Sequence, residues 1–328
     1  MTFLQYCNDH ETILFDGGTM FEMENRGAMA AGRWIPEVVL DNPEAVVQLH
    51  KDFADCGAEV VQVINFYSHK VKAQQLGIEI DIHRLNKQAI LSAREGVKRS
   101  SAAFERPIFV AGALSPLSFF SQREKQDQIM AEAFKEQLSA QTDADVIVCE
   151  TFMSVQEATI AVRACKSQNM LPIVTIRGNV QTLQSDIASL VREEPLAVGL
   201  NCYDGPKQTL RMMEKVQQVP RPVGMYLACM PVGYNATNWE TNPGFPLALE
   251  SVQINRFQAA KYATDAKQMG VKFIGGCCGF RPYHIKEMAV ALNKPALNHK
   301  YKPQLHYSRF SCVRERTGDY WKRFEEMT

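Results

Sequence analysis

The chain has 328 residues, with 36 Lys plus Arg against 36 Asp plus Glu, and 46% of it is hydrophobic. Zero net charge argues against a partner held through phosphate contacts, and the apolar content is too high for a disordered chain. No apolar run reaches the roughly 18 residues of a membrane span. The start MTFLQYCNDHETILFDGG lacks the basic-then-apolar order of a secretion signal.

Strands are expected at Ile13–Asp16, Glu59–Tyr67, Ile108–Gly112, Asp145–Thr151, Ile173–Ile176, Ala197–Cys202, Val223–Ala228 and Lys272–Cys277. Most are apolar on both alternating faces, the pattern of a parallel strand covered on both sides. Helices are expected between them, at Pro43–Cys56, Arg84–Arg99, Glu124–Thr142, Val155–Ser167, Thr182–Glu193, Lys207–Val216 and Asn255–Met269, with Tyr283–Leu292 last. Gly57 and Gly270 close helices before strands. This alternation predicts an α/β fold of the (β/α)8 kind, a TIM barrel, over residues 1–295. A doubly wound sheet is the structural alternative, but FDGGTMFE after the first strand lacks the G-x-G-x-x-G of a dinucleotide site. Two stretches fit no barrel unit: the loop Met230–Glu250 and the segment 296–328. The latter, with its aromatics and arginines over Tyr301–Phe324, is expected to be an arm that wraps a second subunit, giving a homodimer or a dimer of dimers.

Nine cysteines stand at positions 7, 56, 149, 165, 202, 229, 277, 278 and 312. An odd count in a long chain without a secretion signal predicts reduced thiols and a cytoplasmic protein. In a barrel the reactive groups lie at the C-terminal ends of strands. Those ends read Asp16, Tyr67, Gly112–Ala113, Glu150, Arg177, Cys202, Cys229 and Cys277–Cys278. Cys202 with Cys277 and Cys278 makes a candidate three-thiolate cluster on nearby ends of the rim. Three thiolates suit Zn²⁺ and leave a fourth position open, the catalytic pattern. Buried cysteines beside a glycine bend, or a vicinal disulfide, are the alternatives, and spacing alone does not decide. Cys229 reads equally as a further ligand or as packing, and the other cysteines as structural.

Asp16 and Glu150 are carboxylates at the barrel mouth. A substrate ammonium would satisfy them; a structural ion pair or helix cap is the plain alternative. Gly17 and Gly18 would let a ligand approach the backbone. Phe21, Trp34, Phe66, Tyr67 and Tyr203 gather in the same loops, and an aromatic cluster there can cage a methylated cation.

FDGGTMFEMENRG, AGRWIPE, QVINFYS, VIVCETF, GLNCYDGP and GGCCGFRPYHI together resemble the zinc-dependent homocysteine S-methyltransferases, most closely their betaine-dependent branch. The resemblance runs from about Leu14 to Leu292, and VRERTGDYWKRF is more weakly similar to that branch's oligomerisation arm. It implies that Cys202, Cys277 and Cys278 bind zinc, and that Asp16, Gly17 and Glu150 contact homocysteine. It implies that Trp34, Tyr67 and Thr151 line the methyl-donor side, with Tyr67 taking the open zinc position in the absence of substrate. It implies that one or more of His306, Arg314 and Arg316 in the arm reach a donor carboxylate in a neighbouring subunit. The chain departs from the animal betaine enzymes at Thr151, where they have Tyr, at Val63, where they have Thr, and at Glu22, where they have a small residue.

The expected reaction is methyl transfer from glycine betaine to L-homocysteine, forming methionine. A sulfonium donor (dimethylsulfoniopropionate or S-methylmethionine) or a bulkier betaine is the alternative within the family. A non-catalytic zinc-binding barrel is the alternative of another class. The expected partners are these small molecules, with neither nucleic acid nor membrane.

Overall fold

The computed structural model describes residues 1–30, 35–117, 126–235 and 248–296. Trp34, His306, Arg314 and Arg316, and the expected arm from residue 297 onward, lie outside the described residues. Eight strands form one parallel sheet: β1 (Ile13–Leu14), β2 (Val60–Gln62), β3 (Phe109–Leu114), β4 (Val146–Phe152), β5 (Pro172–Ile176), β6 (Ala197–Asn201), β7 (Tyr226–Met230) and β8 (Phe273–Ile274). Neighbours in sequence are neighbours in the sheet, and β1 pairs with β8. A parallel bridge from Phe15 to Val60 joins β1 to β2 and closes the ring, so the fold is the expected (β/α)8 barrel.

Side chains alternate across each strand. Val146 and Val148 of β4, Ala197 of β6 and Val60 of β2 belong to an apolar cluster made only of strand residues and the N-terminal segment. This is the barrel interior. Ile147, Cys149, Val198, Leu200 and Val61 belong to the larger cluster shared with the surrounding helices. By the same alternation Gln62, Glu150 and Asn201 face inward at the C-terminal ends of β2, β4 and β6. Alternate strands of a barrel contribute to one layer, so these three side chains meet.

The N-terminal helix Phe3–Asp9 was not among the expected elements. Its Thr2 and Gln5 form a reciprocal capping box. Phe3 and Tyr6 pack edge-on or tilted against Phe109, with centroids 5.1 Å apart in each case, and plug the interior cluster. The large surrounding helices fall close to expectation, Val155–Ser167 identically.

Three strands have a boundary that differs from expectation by three residues or more. The β2 ladder ends at Gln62, so Tyr67 stands in the following loop rather than on the strand. β8 ends at Ile274, which puts Cys277 and Cys278 in a turn. β7 runs over Tyr226–Met230 instead of Val223–Ala228, because Pro220 and Pro222 precede it, Gly224 turns at φ 90°, and Val223 is fully exposed. No described helix is long and apolar enough to cross a membrane.

Candidate metal centre

Cys202 directly follows β6, and its N–H donates to the Met230 carbonyl at 3.0 Å. The loop after β7 then passes along the CCG turn. Cys277 N–H donates to the Pro231 carbonyl at 2.8 Å, and Gly233 N–H donates to the Cys278 carbonyl at 2.7 Å. Gly279 makes this turn possible: its φ is +84°, and an added Cβ would lie 2.6 Å from the Tyr234 ring. Gly18 admits the turn from the other side, since a Cβ there would lie 2.6 Å from the Cys277 carbonyl oxygen.

The sulfurs of Cys202, Cys277 and Cys278 all lie within 4.8 Å of one another. The Cys202–Cys278 and Cys277–Cys278 separations are both 3.9 Å. All three are free thiols, not a disulfide. Ligands about 2.3 Å from a tetrahedral zinc stand about 3.8 Å apart, so the observed spacing fits such an ion. The electrostatics agree. Cys202 is held well below the ordinary thiol range by the neighbouring thiols of Cys277 and Cys278, aided by the charge of Arg177. Cys277 and Cys278 are pushed well up, chiefly by Cys202. The cluster by itself thus favours one thiolate; a divalent cation would let all three ionise. Val232, Tyr234 and Leu249 wall the sulfurs with apolar surface, joined by Phe21 and Val252.

Cys229 is not part of this centre. On the observed β7 it faces the helices, is fully buried, and its carbonyl accepts from the Tyr262 hydroxyl at 2.6 Å. Cys149 and Cys165 meet in the same outer layer with sulfurs 3.7 Å apart.

The two acids are joined by a residue that the motifs did not single out. Gln62 donates its backbone N–H to Asp16 Oδ2 at 2.8 Å and its side-chain Nε2 to Glu150 Oε1 at 2.6 Å. Asn201 donates to the other oxygen of Glu150 at 3.3 Å. Burial pushes the Glu150 carboxyl up to about 8, with Cys277 adding to the shift and Gln62 opposing it. Burial also raises Asp16 well above the carboxylate range, against the Gln62 N–H and with the Glu150 charge. Neither acid has a basic side chain among the hydrogen-bond partners described. Gly17 and Gly18 follow Asp16, and Gly18 N–H donates to the Phe280 carbonyl at 2.9 Å.

Tyr67 N–H donates to Ser115 Oγ at 2.8 Å at the end of β3. Its ring touches Phe66, with centroids 4.4 Å apart. Tyr67, Thr151 and Cys202 have φ of 57°, 62° and 49°. Among the described residues, the other non-glycine positions with positive φ, Asn169, Glu194 and Asn293, follow helix C-termini, where this conformation is common. The first three instead follow β2, lie within β4 and follow β6, all at the barrel mouth.

The remaining departures separate. Val63 is 2% exposed and packs in the helix-side layer with Val61. Glu22 is 7% exposed and accepts from Arg26 Nε at 2.9 Å and Arg281 Nε at 2.8 Å. It thereby ties the helix Thr19–Asn25 to the residue that follows the CCGF turn. That role requires a carboxylate, which a small residue would not supply.

A sequence profile of the homocysteine S-methyltransferases matches residues 13–292. Betaine–homocysteine S-methyltransferase 1 of Mus musculus is 31% identical over 305 residues, covering 88% of this chain and 74% of that protein. S-methylmethionine–homocysteine S-methyltransferase BHMT2 of Pongo abelii is 31% identical over 304 residues, covering 88% and 80%. The Escherichia coli homocysteine methyltransferase MmuM in its metallated form shares the fold, with a TM-score of 0.70 at 18% identity over 87% of this chain and 98% of that one. This chain belongs to the homocysteine S-methyltransferase family and is a methyltransferase.

Proposed function

We propose that this enzyme transfers a methyl group from a betaine-type onium donor, glycine betaine first, to L-homocysteine, giving methionine, with Zn²⁺ held by Cys202, Cys277 and Cys278. The observation that carries the reading is the triangle of thiols at tetrahedral spacing beside the buried Asp16 and the half-buried Glu150.

A free thiol, with a pKa of about 8.5, is mostly protonated at neutral pH. Zn²⁺ held by Cys202, Cys277 and Cys278 would stabilise the thiolate form of the homocysteine sulfur at neutral pH. The chain's own residues do the rest. Asp16 and Glu150, kept in register by Gln62, receive the homocysteine ammonium, whose charge offsets the cost of burying them. Gly17 gives the amino-acid part access to the backbone. The Tyr67 ring and, by resemblance, Trp34 are assigned to the onium. Alignment of sulfur, methyl carbon and leaving atom makes transfer a single displacement. The sulfur pair forms the new S–C bond, the bond from methyl to the onium atom breaks, and that atom keeps the electrons as neutral amine or sulfide. To one or more of His306, Arg314 and Arg316, which lie outside the described residues, we assign contact with the donor carboxylate of a neighbouring subunit, which would make the active form a dimer or a dimer of dimers.

A sulfonium donor is the second reading, since the S-methylmethionine relative is as similar as the betaine one. The test is methionine formation by zinc-loaded protein from homocysteine and a panel of betaines and sulfonium compounds. The expected result is turnover with glycine betaine and loss of both zinc and activity in Cys202→Ser. Retention of both by Cys202→Ser would overturn the mechanism. No methionine from any donor would overturn the function.

A further inference from the structure

Tyr67 stands at the third position of a four-residue turn, 65–68, closed by Ser68 N–H donating to the Asn65 carbonyl at 3.0 Å. Its φ of 57° is one that glycine adopts far more readily at that position. A backbone strained in this way persists only where its surroundings hold it. One side chain holds this turn at both ends. Asn86, on the helix Ile82–Arg99, accepts from Asn65 Nδ2 at 2.9 Å and donates its own Nδ2 to the Ser68 carbonyl at 2.8 Å. The second hydrogen of Asn86 Nδ2 goes to the Ile82 carbonyl at 2.8 Å, and that of Asn65 Nδ2 to the Ala113 carbonyl of β3 at 3.1 Å. Two carbonyl acceptors fix which end of the Asn86 amide is nitrogen. Asn86 is fully buried and Asn65 is buried beside it, so neither amide can exchange these partners for water without opening the fold.

We propose that Asn86 is a positioning residue for methyl transfer: by clamping the turn 65–68 it fixes where the Tyr67 backbone stands at the barrel mouth, without itself touching donor or homocysteine. The inference rests on the reading of Tyr67 as a donor-side residue. Between the two clamped ends, the Tyr67 N–H is received by Ser115 Oγ at the end of β3. Gln141 holds the β3 backbone in turn, accepting from the Ala113 N–H at 2.9 Å and donating to the Ala113 carbonyl at 3.2 Å. The turn is thus a loop tied to a strand and a helix of the scaffold. Attraction between an onium and an aromatic face needs the cation within about 6 Å of the ring centroid. Transfer needs that cation in line with the attacking sulfur. A ring carried on an unclamped turn would meet the two conditions together only part of the time. The action is confined to the donor side. Asp16, Gln62 and Glu150 hydrogen-bond to one another and to Asn201, and among the described residues they make no hydrogen bond to Asn65, Asn86 or Ser115.

The test is a double-mutant cycle of Asn86→Ala and Tyr67→Ala, read as kcat/KM for glycine betaine and, separately, for S-methylmethionine. Alanine leaves a polar space that a water molecule can enter, which favours folding. In Asn86→Ala the expected result is a fall of about 10- to 100-fold with the donor that is turned over. Zinc content and calorimetric affinity for homocysteine should stay at wild-type levels. In the Tyr67→Ala background the same change should cost less than about twofold. An unaltered kcat/KM in Asn86→Ala, the same large loss in both backgrounds, or a parallel fall in homocysteine affinity overturns the inference and leaves methyl transfer standing. Wild-type donor kinetics in Tyr67→Ala overturn the donor-side reading of Tyr67 and the inference with it. Amide hydrogen exchange on wild-type protein needs neither variant nor turnover. The Tyr67 and Ser68 amides should exchange within about tenfold of the rate of the helix Ile82–Arg99. Faster exchange overturns the inference, whatever Asn86→Ala does to folding.

Discussion

Asn201 grips Thr151 with both ends of its carboxamide. The oxygen accepts from the Thr151 N–H at 2.8 Å, and the nitrogen donates to the Thr151 hydroxyl at 2.8 Å. The same nitrogen reaches Glu150. One fully buried amide on β6 therefore fixes both consecutive mouth residues of β4.

Asn201→Leu, close in volume, leaves the Thr151 N–H and one Glu150 oxygen without this partner. The expected cost is about 1–3 kcal/mol of stability. KM for homocysteine should rise by a larger factor than kcat falls, because Glu150 loses its orientation. Thermal melts and steady-state kinetics check both. An unaltered KM would detach Asn201 from the homocysteine site.

A strong chelator should abolish methyl transfer, and Zn²⁺ should restore it where Mg²⁺ does not, since thiolates favour the softer ion. Elemental analysis should find a single zinc per chain. Cys229→Ser should keep that zinc, because Cys229 lies on the helix side of β7. Loss of zinc in Cys229→Ser would place that residue in the centre after all.

Gly18→Ala tests the packing of the metal turn. The new Cβ would lie 2.6 Å from the Cys277 carbonyl oxygen and 2.9 Å from Cys278 Cα. Both are backbone atoms, so the turn must move. The expected cost is about 1–3 kcal/mol, with zinc affinity and activity falling more than the melting temperature. Full zinc affinity in Gly18→Ala would show that the turn tolerates the shift.

Acid should destabilise the fold through its buried histidines. His50 and His284 are fully buried and pushed down to about 4 from 6.5 by that burial. The folded chain thus binds fewer protons than the unfolded one between these values. Their contribution is complete above pH 6.5, falls as pH drops toward 4, and is flat below. Each histidine adds up to about 1.4 kcal/mol per pH unit in that window. Neither ring nitrogen of His50 has a hydrogen-bond partner among the described residues. His50→Leu should therefore raise the urea midpoint, and by more near pH 5 than near pH 8. Equal gains at both would exclude proton linkage at His50.

Thr151→Tyr should narrow the donor side. A left-handed backbone accepts Tyr more readily than a β-branched residue, so the change should fold. KM for glycine betaine should fall while activity with bulkier betaines drops. A donor panel that gives identical ratios for both proteins would separate position 151 from donor choice.

The strand ends were legible because barrel chemistry collects there and because adjacent cysteines between glycines are chemically conspicuous. Glu150 stood out as an acid closing an apolar strand. Gln62 and Asn201 lie inside QVINFYS and GLNCYDGP but offer no reactive group of their own; their signal is parity, since both share the inward face of alternate strands with Glu150. Cys229 stands near the end of β7 as expected, but its side chain falls on the helix side of the strand, a parity that the sequence reading, with β7 starting three residues early, does not resolve. Asn86 was not legible at all. On its helix it is one polar residue among many, and its hold on the turn 65–68 depends on how the loop after β2 folds back.

The left-handed backbones of Tyr67, Thr151 and Cys202 have a consequence for how this protein can change. Each side chain sits in a conformation that glycine would adopt more easily, at a strain of about 1–3 kcal/mol apiece. Glycine at these positions would relax the backbone and delete the groups on which the reaction is proposed to depend. Selection for heat resistance alone, by mutation and screening, would be drawn toward the barrel mouth and would erode catalysis there first. Stabilising substitutions that spare activity should come instead from the opposite end of the barrel, around the helix Phe3–Asp9.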